Sequence, residues 1–273
     1  MPIQNRDTGT DDLLARLDAG VLTLTMNRPE ARNALTPAMV QALADQLGEA
    51  ELDDAVRCVV LTGAGKGFCS GGDVKAMADG APETAPALHA AIHRQRVAQR
   101  DTAGRLFKMP KPTIAVVNGS AAGAGLALAL SCDLRLMSTT AALLTAFVKV
   151  ALPGDFGAAY FLTRLAGPSK ARQLMLMSER VDAEEALRLG LTNWICDPQD
   201  IASRTDALAA GFAAGPGVAY RYMKENLNRA ISGEIDDCLD VEAAHHVHCF
   251  ATADTREAVS AFVDKREPVF TGR

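Results

Sequence analysis

Thr113-Ile114-Ala115-Val116-Val117-Asn118-Gly119-Ser120-Ala121-Ala122-Gly123-Ala124-Gly125-Leu126-Ala127-Leu128-Ala129-Leu130-Ser131-Cys132-Asp133 is the stretch that decides the fold. Thr113 to Val117 is a short β-branched run and reads as a strand; the glycines after it mark a turn that opens a short helix. Pro112 to Cys132 carries no charged side chain and is long enough to span a bilayer. Asn118, Gly119, Ser120, Gly123 and Gly125 interrupt it, so it reads instead as strand, glycine turn and helix buried in a core.

The same order stands upstream. Leu13–Asp18 and Val21–Asn27 form a hairpin around Ala19-Gly20, with Leu22, Leu24 and Met26 alternating with threonines or polar neighbours. Thr36-Pro37 starts a helix over Ala38–Leu52, with Thr as N-cap and Pro in the first position. Arg57–Thr62 is β-rich, Gly63–Gly72 is a glycine-dense loop, and a helix covers Ala87–Lys108. After Thr113–Val117 and its glycine loop come a short helix and the strand Asp133–Met137. Beyond about Gly157 the β signal is confined to Asn193–Cys196. Asp182 with Glu185 and Asp254 with Glu257 read as helix starts, carboxylates at the positive end of the dipole. Thr271-Gly272-Arg273 reads as a frayed tail. An α/β unit wound more than once, residues 1–198, is therefore expected to join a helical region, 199–273, in one integrated unit.

Composition excludes some partners. The 273 residues are 48% hydrophobic with net charge −5, an ordinary globular balance that argues against a nucleic-acid partner. The charge is uneven. Thr84 to Ser178 holds eleven Lys or Arg against Asp101, Asp133 and Asp155, a net of +8, which suits an anionic ligand. The six cysteines form no C-x-x-C pair and Met1–Asp18 lacks signal-peptide character, so a reduced, cytoplasmic protein without a membrane partner is expected.

Several site patterns fail. Gly65-Lys66 has Val60 where a phosphate loop needs glycine, and no Ser or Thr follows Lys66. G-x-G-x-x-G breaks at Phe68 and at Leu128, and neither Ser70 nor Ser120 stands in G-x-S-x-G. His89 and His93 lack a metalloprotease Glu. His245, His248 and Cys249 share a helix face that could hold zinc or line a subunit contact. The two glycine loops are stronger candidates: small residues let a ligand approach the backbone, and a helix N-terminus points N–H groups at developing negative charge. Two such loops facing one another would form an oxyanion hole.

Five stretches in order, Asn27–Leu35, Gly65–Asp73, Lys111–Asp133, Phe147–Gly157 and Phe262–Gly272, resemble the enoyl-CoA hydratase/isomerase (crotonase) superfamily over nearly the whole chain. The resemblance implies a spiral of ββα units with a helical C-terminal trimerisation region. It further implies a homotrimer or dimer of trimers acting on acyl-CoA thioesters, with CoA part of the substrate and no separate cofactor. It assigns the backbone N–H groups of Cys69 and Ala124 to the oxyanion hole. Ser70, Gly71, Gly72 and Asp73 match the strip along CoA, and Lys75, Phe262 and Lys265 match CoA contacts.

The family's two hydratase glutamates fall at Ala127 and Phe147, neither of which can move a proton. Asp155 aligns with the acid of a subgroup that includes the phenylacetate-pathway enoyl-CoA isomerase. A single carboxylate suffices for a double-bond shift, and burial near Phe147 and Phe156 would raise its pKa. Isomerisation by Asp155 is therefore the expected reaction. A hydratase with a non-standard acid–base set and a non-catalytic acyl-CoA-binding trimer are the alternatives. Asp133 is a competing carboxylate whose family counterpart is structural.

Overall fold

The computed structural model describes residues 3–73 and 85–273. Its strands are β1 (Gln4–Arg6), β2 (Leu13–Asp18), β3 (Val21–Met26), β4 (Cys58–Gly63), β5 (Gly67–Cys69), β6 (Thr113–Val117), β7 (Ser120–Ala122), β8 (Leu134–Ser138), β9 (Ala142–Leu144), β10 (Val181–Asp182) and β11 (Trp194–Cys196). A seven-stranded sheet runs β1-β2-β3-β4-β6-β8-β11, antiparallel as far as β3 and parallel beyond it. A second sheet runs β10-β9-β7-β5, with β5, β7 and β9 parallel.

Period-two alternation sets the layers. Val59 and Leu61 of β4, with Ala115 and Val117 of β6, join the main core. Cys58 and Val60, with Ile114 and Val116, point to the other face. Both faces are covered, so β6 is buried at every residue, as a strand inside a parallel sheet should be. The first face packs on α1 (Pro37–Leu52), which lays Met39, Leu43 and Leu47 at helical spacing into the core. Its start is as expected: the Thr36 hydroxyl accepts from Met39 N–H at 3.0 Å.

The chain passes from the large sheet to the small one three times, β4 to β5, β6 to β7 and β8 to β9, then into helices. These are α2 (Ala85–Gln99), α3 (Arg105–Lys108), α4 (Ala124–Ser131), α5 (Ala158–Leu165), α6 (Gly167–Met177) and α7 (Ala183–Arg188). The C-terminal region is helical: α8 (Ile201–Ala214), α9 (Gly217–Ala230), α10 (Ile235–Phe250) and α11 (Ala253–Asp264). The result is an α/β fold of alternating β and α units with a helical end, consistent with the crotonase-like spiral.

Three expectations need correction. The two glycine loops are not loops throughout, because each contains a three-residue strand of the small sheet. The single helix expected over Ala87–Lys108 is split by a wider π turn, Arg100–Gly104, inside which the Thr102 hydroxyl donates to the Ala98 carbonyl at 2.7 Å. The tail is not frayed. Asp254 accepts from Thr271 N–H at 2.7 Å and Gly272 N–H at 2.9 Å, while Asp254 N–H donates to the Arg273 carbonyl at 3.2 Å. Asp254 stands in the first turn of α11, as expected, and Thr252 caps that helix by taking Thr255 N–H at 3.2 Å.

Helix α9 is pinned to the core by one cation. Lys224 Nζ donates to Asp133 at 2.8 Å and to the carbonyls of Leu106 at 2.9 Å and Lys111 at 3.2 Å. Asp133 also accepts from Thr113 N–H at 2.8 Å and from its hydroxyl at 2.9 Å, so it is a structural hub joining β6, β8 and α9. Lys224→Met removes three hydrogen bonds and leaves a partly buried carboxylate without its cation. It should lower stability by about 2–3 kcal/mol, read as a lower midpoint in chemical unfolding.

Candidate active site

Neighbouring positions in the small sheet bring the two glycine segments together. Gly67 of β5 pairs with Ser120 of β7, and Cys69 pairs with Ala121 across a register irregularity. Cys69 ends β5 fully buried, and Ala124, 2% exposed, begins α4. The approach is backbone against backbone: a Cβ at Gly125 would fall 2.4 Å from the Cys69 carbonyl oxygen. At Gly71, where φ is +92°, it would fall 2.9 Å from the Ala122 oxygen. Ala124 N–H belongs to a first helical turn, whose amides have no acceptor within the helix, and its N-cap Gly123 supplies no side chain.

The strip Ser70–Asp73 is held from the N-terminal side. Leu35 N–H donates to Gly71 O at 2.8 Å, Ser70 N–H donates to Arg32 O at 3.0 Å, and Leu35 bridges Gly72. The fully buried Asn33, at φ +56°, donates to Ala64 O at 2.9 Å and Gly67 O at 2.8 Å, while its Oδ1 accepts from Arg28 N–H at 2.9 Å. Arg28 then reaches Asp73 at 3.1 Å. Sequence reasoning gave Asn33 and Arg28 no role beyond a motif. The available signal was an Asn suited to left-handed backbone, beside a glycine segment with carbonyls to satisfy.

Asp155 arrives through β9, the other neighbour of β7. Thr145 donates its hydroxyl to Leu174 O at 2.7 Å, and Ser178 Oγ accepts from Ala146 N–H at 3.0 Å. Gly154, Phe156 and Gly157 have φ of +117°, +45° and +86°, so Asp155 sits within a left-handed turn. Among the described residues its Oδ1 is buried with no hydrogen-bond partner, and burial pushes the carboxyl up to about 6. The Cys69 thiol is pushed up to about 12, first by burial, with the Asp155 charge adding to it; the two groups are close enough to feel one another. Ala127 and Phe147 are both buried.

The remaining expected contacts lie apart. Phe262, 86% exposed, and Lys265 stand at the end of α11, and among the described residues neither hydrogen-bonds to the glycine segments. Lys75 lies outside the described residues. The His245 ring stacks on Tyr222 at 4.1 Å with Nδ1 2.5 Å from Asn226 Oδ1, and His248 meets the same tyrosine edge-on. A cavity of about 500 Å³ lies elsewhere, lined by Phe107, Tyr160, Arg164, Tyr220, Leu227 and others, and does not include Asp155. No helix among the described residues is long and apolar enough to cross a membrane.

The chain matches known proteins over nearly its whole length. The family model described as Enoyl-CoA hydratase/isomerase matches residues 16–273. The chain is 38% identical over 261 residues to the 1,2-epoxyphenylacetyl-CoA isomerase of Escherichia coli (strain K12), covering 96% of this chain and 98% of that protein. It is 33% identical over 258 residues to the short-chain-enoyl-CoA hydratase of Clostridium acetobutylicum, covering 94% and 96%. The crystal structure of an enoyl-CoA hydratase from Polaromonas sp. JS666 superposes with a TM-score of 0.88 at 30% identity, covering 95% of this chain and 99% of that one. With the matching model spanning all but the first fifteen residues, the chain belongs to the enoyl-CoA hydratase/isomerase family, the crotonase superfamily.

Proposed function

We propose that the protein shifts the double bond of an enoyl-CoA thioester, with Asp155 as the acid–base group, as in the phenylacetate-pathway isomerase subgroup. The observation that carries this reading is the Asp155 carboxyl, whose buried Oδ1 has no partner among the described residues, which burial pushes up to about 6, and whose charge reaches the Cys69 thiol. Asp155 removes a proton from the carbon next to the thioester carbonyl, and the electron pair moves onto the thioester oxygen. The N–H groups of Cys69 and Ala124 stabilise that dienolate. Protonated Asp155 then returns the proton two carbons away, so no water is consumed. Ala127 and Phe147 offer no second acid for hydration.

Ser70, Gly71, Gly72 and Asp73 run along the CoA moiety in this reading, and Lys75, Phe262 and Lys265 contact it. The +8 stretch from Thr84 to Ser178 supports a polyanionic carrier. The C-terminal helices, residues 199–273, form the trimer contacts. Met223 and Leu227 of α9 and Ile231 just beyond its end repeat every fourth residue with their side chains exposed, and Leu227 is 69% exposed. A reduced, cytoplasmic setting accords with six free cysteines.

Three measurements test the reading. With a 3-enoyl-CoA in ¹⁸O-water, the protein should form the 2-enoyl product without incorporating oxygen, and Asp155→Asn should lose at least about 10²-fold in kcat. Oxygen incorporation would indicate hydration instead, and tight CoA binding without turnover would indicate a scaffold. Because the base must be ionised, kcat/KM should fall about tenfold per pH unit below about 6.

Stability should move the other way. A carboxyl whose folded pKa lies above its unfolded value of 3.8 stabilises the fold fully below 3.8 and loses that contribution as pH rises through about 6. Asp155→Asn should therefore raise Tm at pH 7.5 by about 2–4 °C, a difference that vanishes near pH 4. Finally, light scattering should give a trimer or hexamer, and Leu227→Asp should shift it to monomer.

A further inference from the structure

Phe147 is a buried ring in a strained turn. The 3₁₀ turn Phe147–Val150 is flanked by Ala146 and Ala151, both left-handed at φ +60° and +56°. Two non-glycine residues in that region cost energy, which persists only where the surroundings over-determine the conformation. Here the backbone is tied on both sides: Phe147 N–H donates to Thr145 O at 2.8 Å, and Phe147 O accepts from Leu152 N–H at 3.0 Å.

The ring faces two glycines across the space that a Cβ on each would occupy. Its Cε1 lies 3.6 Å from where a Cβ on Gly123 would stand, and Cδ2 and Cε2 lie 3.9 Å from the corresponding point on Gly154. Gly123 immediately precedes Ala124, and Gly154 immediately precedes Asp155. The Met175 methyl, 3.0 Å from the same Cβ position of Gly154, closes that side of the glycine together with the ring. The ring thus fills the space between the residue before the proposed amide donor and the residue before the proposed base.

We propose that Phe147 is a positioning residue: wedged between Gly123 and Gly154, it fixes the gap between the Ala124 amide and the Asp155 carboxyl and keeps water from that carboxyl. The proposal rests on the isomerase reading for its effect on turnover. A smaller side chain lets the Gly154–Asp155 turn move toward α4 and admits water. Both consequences follow from lost volume, so they should grade with size from Phe through Leu to Ala.

The test uses full-length Phe147→Leu and Phe147→Ala. Two readouts are compared: steady-state kinetics with a 3-enoyl-CoA, and infrared titration of the Asp155 carboxyl identified by difference against Asp155→Asn. Phe147→Ala should lose at least about tenfold in kcat, since small misplacements of a reacting group are costly. KM should change less than about threefold, because CoA contacts lie elsewhere. The infrared midpoint should fall by about half a pH unit or more, with the acid limb of kcat/KM moving alongside and Phe147→Leu intermediate.

An unmoved midpoint in both variants, whatever happens to Tm or turnover, overturns the proposal and leaves Phe147 a packing residue. Unchanged kcat alongside a native level of isomerisation overturns it equally. The infrared titration needs no substrate. If the native protein shows no double-bond shift, the isomerase reading fails separately, and the midpoint alone decides whether Phe147 shields Asp155.

Discussion

The pairing of β5 with β7 is the constraint on which the rest depends. These two strands of three residues each would be nothing in isolation, yet they are the ends of two crossovers anchored in the large sheet by β4 and β6. Parallel pairing requires such long connections. It also requires that the chain leave each large-sheet strand, step across to the small sheet and turn into a helix without a side chain in the way. The backbone contact between Cys69 and Gly125 is where that step is tightest, and it places an amide-bearing helix start next to a strand end. With β9 on the other flank of β7, the segment carrying Asp155 joins the same row.

Electrostatics then distinguishes the acids. Of the three carboxylates between Thr84 and Ser178, Asp101 meets Arg105 at 3.3 Å and Asp133 meets Lys224 at 2.8 Å. Of the three, Asp155 alone has a buried oxygen without a partner among the described residues, and burial raises its pKa. The two paired carboxylates are committed to structure, whereas an unpaired one in a half-buried turn can exchange a proton near neutral pH. Removing acidic charge from the middle of the chain therefore isolates one group chemically.

The large sheet is legible from β2 inward because those strands carry the signal that burial on one or two faces demands, whereas the edge strand β1, with Gln4 and Asn5 exposed, carries none. The pattern of Thr113–Val117 matches β6 to the residue, and that of the β2–β3 hairpin runs one position too far, to Asn27. The small sheet was not legible for the same reason in reverse. Gly67-Phe68-Cys69 and Ser120-Ala121-Ala122 are too short for alternation and too poor in β-branched residues, so glycine composition dominated the reading. Ala142–Leu144 was missed altogether. Asp155 as a candidate follows from alignment with an acid and from scarcity of alternatives, and Phe147 as its neighbour follows from nearness in sequence. The contacts of Asn33 with Ala64 and Gly67 and of Arg28 with Asp73 could not be read, because those partners lie 31 to 45 residues away and only folding brings them together.

The C-terminus deserves the same attention as the core when the protein is handled. Arg273 offers its carbonyl to α11, Gly272 lies against the Arg57 guanidinium, and Glu257 takes Val269 N–H at 2.9 Å together with the Arg266 guanidinium. The last five residues thus behave as a clasp closing the helical region onto the start of β4.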